Sequence, residues 1–137
     1  MEATVCFETM KVKKENLLGN MGHGFDILLS WIAVDKIQQC AACVSIAQAA
    51  LNKAAKRTVR GRPLANMQGI QWILADVQSK LEASRWLTYR SAFMQDREKK
   101  GWMIAAASAK LFVVPTAIDA VEMARRIHGA YGSKVTK

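Results

Sequence analysis

The chain has 137 residues, 51% of them hydrophobic, with eight glycines, two prolines and three cysteines. That is the length of one domain with enough apolar residues for a core, and it excludes a disordered, collagen-like or disulfide-scaffold chain. A formal net charge of +9 admits an anionic partner: nucleic acid, an acidic membrane, a nucleotide cofactor or a coenzyme A ester.

Three cysteines without framework spacing, and an N-terminus "MEATVCFETM" lacking a basic head and a long apolar run, predict a reducing, cytoplasmic setting without a secretion signal. The longest apolar stretch, "DILLSWIAVD", is short and interrupted, so no membrane span is expected.

Residues 1–18 differ from the rest of the chain. Val5, Phe7 and Thr9 alternate, then Met10 and Val12 come next, which predicts one short β-strand and a connection. A lone strand leaves its backbone groups unpaired, so it needs a partner in an oligomer or in another part of the protein. Gly19, Gly22 and Gly24 end this segment.

From Gly24 to Gly61 no proline intervenes, and Phe25, Leu29, Ile32, Cys40, Cys43, Ala47 and Leu51 recur mostly at three- and four-residue steps. This predicts a helix of about 30 residues, ~45 Å long. Pro63 and Leu64 open a second helix, with Ile70, Leu74, Val77, Leu81, Leu87 and Met94 as its stripe and small Ser84 and Ser91 between them. A third runs from about Trp102 to His128, with Ile104, Ala107, Leu111, Val114, Ile118 and Val121 on one face and a kink expected at Pro115. The fold class is therefore all-α: an antiparallel bundle of three long helices, of four-helix type with the last helix missing, over residues 19–137. A fourth helix from elsewhere is expected to complete it.

Several motifs admit both a chemical and a packing reading. Cys40 and Cys43 form a C-x-x-C, but among alanines in mid-helix and without a second ligand pair they read as core, and no metal site is expected. Trp31, Trp72, Trp86 and Trp102 read as bundle filling rather than nucleic-acid stacking platforms, so no nucleic-acid partner is expected. The basic run Lys53, Lys56, Arg57, Arg60 and Arg62 fits either a helix C-terminus, where cations meet the negative dipole end, or an anion site. Asp35 beside Lys36 is either an exposed helical acid or a carboxylate tuned at a cavity edge.

The ordered set "VCFETMKVKKENLLGNMGHGF", "SIAQAAL", "KRTVRGRPLANMQGIQWILADV", "EASRWLTYRSAF", "AAASAKLF" and "RIHGAYG" resembles the C-terminal part of acyl-CoA dehydrogenases: the end of their β-domain, here residues 1–18, and then their helical bundle. The resemblance implies FAD, an acyl-CoA substrate, proton removal alpha to the thioester by a carboxylate, and hydride transfer from the beta carbon to the flavin. It also implies a homo-oligomer, or completion by another chain, in which one bundle contacts a neighbour's FAD. Arg57 matches the arginine that reaches the FAD pyrophosphate, Gln68 a glutamine on the flavin side, and Gly129 and Gly132 the glycine turn against the cofactor.

Departures from the family pattern include Val59, Arg60, Arg126, Ala130 and Lys13, and Ala33 stands where some members carry an acidic contact to coenzyme A. In most members the catalytic glutamate lies beyond the position of Lys137; in a minority it lies in the first bundle helix, where Asp35 stands, which makes Asp35 the candidate base. The expected function is thus the C-terminal domain of an FAD-dependent oxidoreductase acting on acyl-CoA, inactive alone. The alternatives are a flavin-dependent monooxygenase or acyl-CoA oxidase of the same fold, and a non-catalytic helical oligomerisation module.

Overall fold

A computed structural model describes residues 3–133, so the first two and last four residues of the expected domains lie outside the described residues. Three long helices dominate: α1 (Gly24–Ala55), α2 (Gln68–Asp96) and α3 (Trp102–His128). Consecutive helices joined by short connections run antiparallel, and α3 packs against both α1 and α2. The all-α bundle is as expected from the sequence.

Residues 3–13 form no strand ladder, and a 3-10 turn follows at Lys14–Asn16. The alternating residues Val5, Phe7 and Met10 are exposed, and Thr9 adopts a positive φ of 48°. Among the described residues nothing pairs with this segment, which is the condition under which an isolated strand cannot hold. The one ladder among the described residues lies instead between α1 and α2, where β1 (Thr58–Val59) pairs antiparallel with β2 (Arg62–Pro63). Its two-residue turn is Arg60-Gly61, with φ of 50° and 75°; two positive φ values are what a type I′ hairpin turn requires.

The core follows a heptad. On α1 the buried positions are Ala33, Ile37, Cys40, Val44, Ala47, Leu51 and Ala54, alternating steps of four and three. On α2 they are Val77, Leu81, Ser84, Thr88 and Ser91. This is the spacing of knobs packing into holes. The buried hydroxyls return to their own helix: Ser84 Oγ donates to Lys80 O at 2.9 Å, Thr88 Oγ1 to Ser84 O at 2.8 Å and Ser91 Oγ to Thr88 O at 2.8 Å. Each of these polar groups is thereby satisfied without a partner across the bundle.

On α3 the expected face is wrong. The buried residues include Ala106, Ala109, Val113, Ala117, Ala120 and Ala124, whereas Ile104, Leu111 and Ile118 are 73%, 79% and 63% exposed. A helix lying against two others needs close backbone approach, and alanine allows it where isoleucine and leucine do not. The expected start of the α1 stripe is corrected too, since Phe25 and Leu29 face outward. Trp31, Trp72 and Trp86 are also exposed and do not fill bundle layers; Trp102 is half-buried. Cys40 and Cys43 lie in or against the core, as read from their alanine neighbours.

Helix α3 passes Pro115 without a break. Pro115 offers no N–H to the Leu111 carbonyl, and the hydroxyl of the next residue, Thr116, donates to Phe112 O at 2.8 Å. Gly24–Ala55 and the segment Trp102–Ser133 are each long and apolar enough by composition to cross a bilayer. Here one face of each helix is buried in the bundle.

Candidate functional site

The C-terminal end of α1, the start of α2 and the C-terminal end of α3 meet at one end of the bundle. Ala54, Ala124 and Ile127 form the core there, with Leu64, Ile70 and Ile73 packed against them. Arg57 leaves α1 at this end. Its amide donates to Ala54 O at 3.1 Å and its carbonyl accepts from the Leu64 amide at 2.9 Å, so its backbone is held on both sides.

The Arg57 guanidinium lies over the Tyr131 ring, 4.8 Å from the centroid. Its Nε is buried and has no hydrogen-bond partner among the described residues. A buried donor on a fixed cation is costly unless something accepts from it, and a guanidinium fork suits phosphate or carboxylate oxygens. Lys53, Lys56, Arg60 and Arg62 are exposed around it. The residues at this end therefore fit an anionic group.

The glycine turn closes the site. Gly129 ends α3 with φ 61° and ψ −136°, a region favourable only to glycine. The 3-10 turn Gly129–Ser133 then folds back on α3. A Cβ on Gly132 would lie 2.5 Å from Arg125 O, so this glycine lets the turn approach the helix backbone. Beside the turn, His128 Nδ1–H donates to Ala124 O at 2.8 Å. Arg126, which precedes the turn, leans to Glu122 at 3.8 Å, and Arg125 bonds Glu122 at 2.9 Å. Arg125 holds the Glu122 carboxyl below its usual range, first through that hydrogen bond and then through its charge.

Gln68 is the first residue of α2 and is exposed at this same end. Arg57, Gln68, Gly129 and Gly132 therefore share one end of the bundle. Asp35 does not join them. It lies 22 residues before Arg57 on α1, about 30 Å away along the helix. It is half-buried, and Gln39 Nε2 donates to its carboxylate one turn on.

Three features escaped the sequence reading. Tyr131 gave no signal beyond being an aromatic between two glycines. Arg85, on α2, donates to Gln48 Oε1 on α1 at 2.8 Å, and Gln48 Nε2 donates to Asn52 at 3.0 Å. These residues line a groove of about 400 Å³ between α1 and α2, with Val44 and Tyr89 as its apolar wall. The third is an apolar groove on the outer side of α1 and α3. Lys36, Lys110, Leu111 and Pro115 line one part, of about 480 Å³, and Cys43, Ile46, Ile118 and Val121 another, of about 320 Å³.

Residues 22–136 match the family model described as acyl-CoA dehydrogenase, C-terminal domain. Among curated proteins, the chain is 36% identical over 132 residues to a 3-(aryl)acrylate reductase of Clostridium sporogenes, covering 93% of this chain and 35% of that protein. It is 37% identical over 134 residues to the mitochondrial short-chain specific acyl-CoA dehydrogenase of Sus scrofa, covering 95% of this chain and 32% of that one. Its fold is similar to that of butyryl-CoA dehydrogenase from Megasphaera elsdenii, with a TM-score of 0.84 and 35% identity over 93% of this chain and 34% of that structure. The chain thus spans about a third of the length of these relatives. Taken with the helical bundle and its glycine turn, these matches show that the chain belongs to the acyl-CoA dehydrogenase C-terminal domain family.

Proposed function

We propose that this chain is the bundle part of an FAD-dependent oxidoreductase acting on an acyl-CoA thioester, and that the Arg57 end of the bundle holds the diphosphate of FAD. The observation that carries this reading is the buried Arg57 Nε, without a partner among the described residues, on a backbone fixed at both sides. Gln68 and the Gly129–Gly132 turn at the same end would then flank the cofactor. FAD, when bound, supplies the hydride acceptor. The chain's own part is to bind and orient it through cations and backbone.

On this reading the chain alone does not catalyse α,β-dehydrogenation. Its candidate base, Asp35, lies about 30 Å from Arg57 and is bonded to Gln39, so the two act on different parts of an assembled site. That separation fits an arrangement in which each bundle contributes to a neighbour's cofactor. The segment before the Lys14–Asn16 turn would pair as a strand outside the bundle and the rest of residues 1–18 would link it to α1. The unpaired thiols of Cys6, Cys40 and Cys43 fit a cytoplasmic setting.

The test is titration of the full chain with FAD, ADP and inorganic pyrophosphate by calorimetry. Binding that falls at least tenfold in Arg57→Ala is expected, with no butyryl-CoA turnover in the presence of an electron acceptor. Equal affinity of the variant, or turnover by the chain alone, refutes the reading.

A second reading rests on the outward apolar face of α3. Ile104, Leu111 and Ile118 repeat at seven residues and are exposed, and the groove beside them carries Lys36 and Lys110. That arrangement fits an amphipathic helix from another chain, with carboxylates flanking its apolar stripe. A leucine-heptad peptide flanked by glutamates should bind and its lysine-flanked version should not. A tight homo-oligomer of the chain alone that persists in Leu111→Glu would sink this reading.

A further inference from the structure

We infer that Tyr131 is a positioning residue: its ring supports the Arg57 guanidinium from one side, so that the buried Nε–H is presented to a diphosphate. The inference rests on the reading of Arg57 given above and adds to it the element that aims the arginine.

An arginine side chain has four rotatable bonds, and fixing it for one ligand carries an entropic penalty. Here the backbone of Arg57 is already held by the Ala54 carbonyl and the Leu64 amide. What remains free is the side chain, and the Tyr131 ring at 4.8 Å is placed to restrict it. A ring face attracts a cation without consuming any of its N–H donors, so stacking fixes the guanidinium and leaves the fork available. A carboxylate in the same place would fix it too, but would occupy the donors and cancel the charge an anion needs.

The placement of Tyr131 is built rather than incidental. Gly129 turns the chain out of α3 with a backbone few other residues adopt. Gly132 lets the following turn lie against Arg125, where a Cβ would meet the Arg125 carbonyl. Between them Tyr131 is carried across from the end of α3 to the end of α1. The two glycines thus have a role within this chain: they bring an aromatic face to a cation on another helix.

The test uses the full chain and three variants. Inorganic pyrophosphate and ADP are the calorimetric probes. Tyr131→Phe keeps the ring face and should bind within about twofold of wild type, whereas Tyr131→Leu should weaken binding by about two- to fivefold. In nitrogen-15 spectra without ligand, the Arg57 Nε–H signal, assigned by its loss in Arg57→Lys, should be ring-shifted in wild type and Tyr131→Phe and unshifted in Tyr131→Leu. A merely structural role for Tyr131 would not move that signal. Circular dichroism should show equal helicity in all chains, because Tyr131 is exposed.

Wild-type binding that is indifferent to Tyr131→Leu, or an Arg57 signal that does not respond to it, overturns this inference alone. A wild-type chain that binds neither probe overturns the anion reading of Arg57 and this inference with it. Tyr131→Phe behaving as Tyr131→Leu shows that the hydroxyl acts rather than the ring face, and also overturns it.

Discussion

Replacing Gly132 by alanine separates the turn's geometry from the helix that carries it. The added Cβ would lie 2.5 Å from Arg125 O and 3.1 Å from Arg125 Cα, both backbone atoms of α3 that cannot rotate away. The turn must therefore lift. Overpacking of this kind in a fixed environment costs about 1–3 kcal/mol. Here the environment is a five-residue turn with no buried residue, which can undock locally. The global cost is then capped at the free energy of undocking, and about 1 kcal/mol or less is expected. The larger effect falls on Arg57, because Tyr131 moves with the turn.

The assay is paired: urea unfolding followed by circular dichroism for stability, and the Arg57 Nε–H signal for the stacking contact. Gly132→Ala should leave the unfolding midpoint near wild type and abolish the ring shift. Gly69→Ala is the control. Gly69 lies in α2 without a positive φ, and the space where a Cβ would sit is open, so the change should be neutral or stabilise by up to ~1 kcal/mol. A Gly132→Ala chain that keeps the ring shift would refute the argument that close approach of the turn sets the Tyr131 position.

Other perturbations probe the core and its outer face. Leu81 is 1% exposed in the central cluster, so Leu81→Ala should lower unfolding free energy by about 2–5 kcal/mol; a loss under 1 kcal/mol by the same urea assay would contradict its place there. Leu111→Ser should change the stability of the isolated chain by only about 0.5 kcal/mol, because Leu111 is exposed; a loss above ~2 kcal/mol would mean that it is covered in the free chain. Thiol labelling at pH 8 should modify exposed Cys6 first and Cys40 only on unfolding, because burial, and then the neighbouring Cys43, push the Cys40 thiol above its ordinary value. Three equally fast thiols would contradict the α1–α3 packing.

The start of α1 at Gly24 and the break between α2 and α3 were legible from the glycines and the "DREKKG" run, whereas Pro63 and Leu64 do not open α2: Pro63 lies in β2, Leu64 begins a 3-10 turn, and α2 starts at Gln68. The inward face of α1 was legible from Cys40 to Leu51, where the expected stripe and the core positions coincide at Cys40, Ala47 and Leu51. On α3 they do not coincide. Both of its faces are apolar, and the larger side chains Ile104, Leu111 and Ile118 mark the outer one. Hydrophobic size indicates burial only when a helix has one partner face. Ala106, Ala109 and Ala120, each at most 1% exposed, are inward because α3 is flanked by two helices. That fact belongs to the assembly of the bundle and has no local trace.

The same distinction governs the site. Arg57, Gln68, Gly129 and Gly132 could be nominated by their likeness to a family pattern, but nothing in their spacing brings them together. What brings them to one end is the antiparallel order of three helices of nearly equal length, which returns the end of α1, the start of α2 and the end of α3 to one layer. Tyr131 could not be nominated in that way, because its contact with Arg57 spans 74 positions of sequence. Ala54, which packs this layer with Ala124 and Ile127, also accepts the Arg57 amide. The cation and the ring that faces it are therefore positioned by core packing rather than by a free loop, and a loss of packing at this end should disturb the Arg57–Tyr131 contact before it unfolds the bundle.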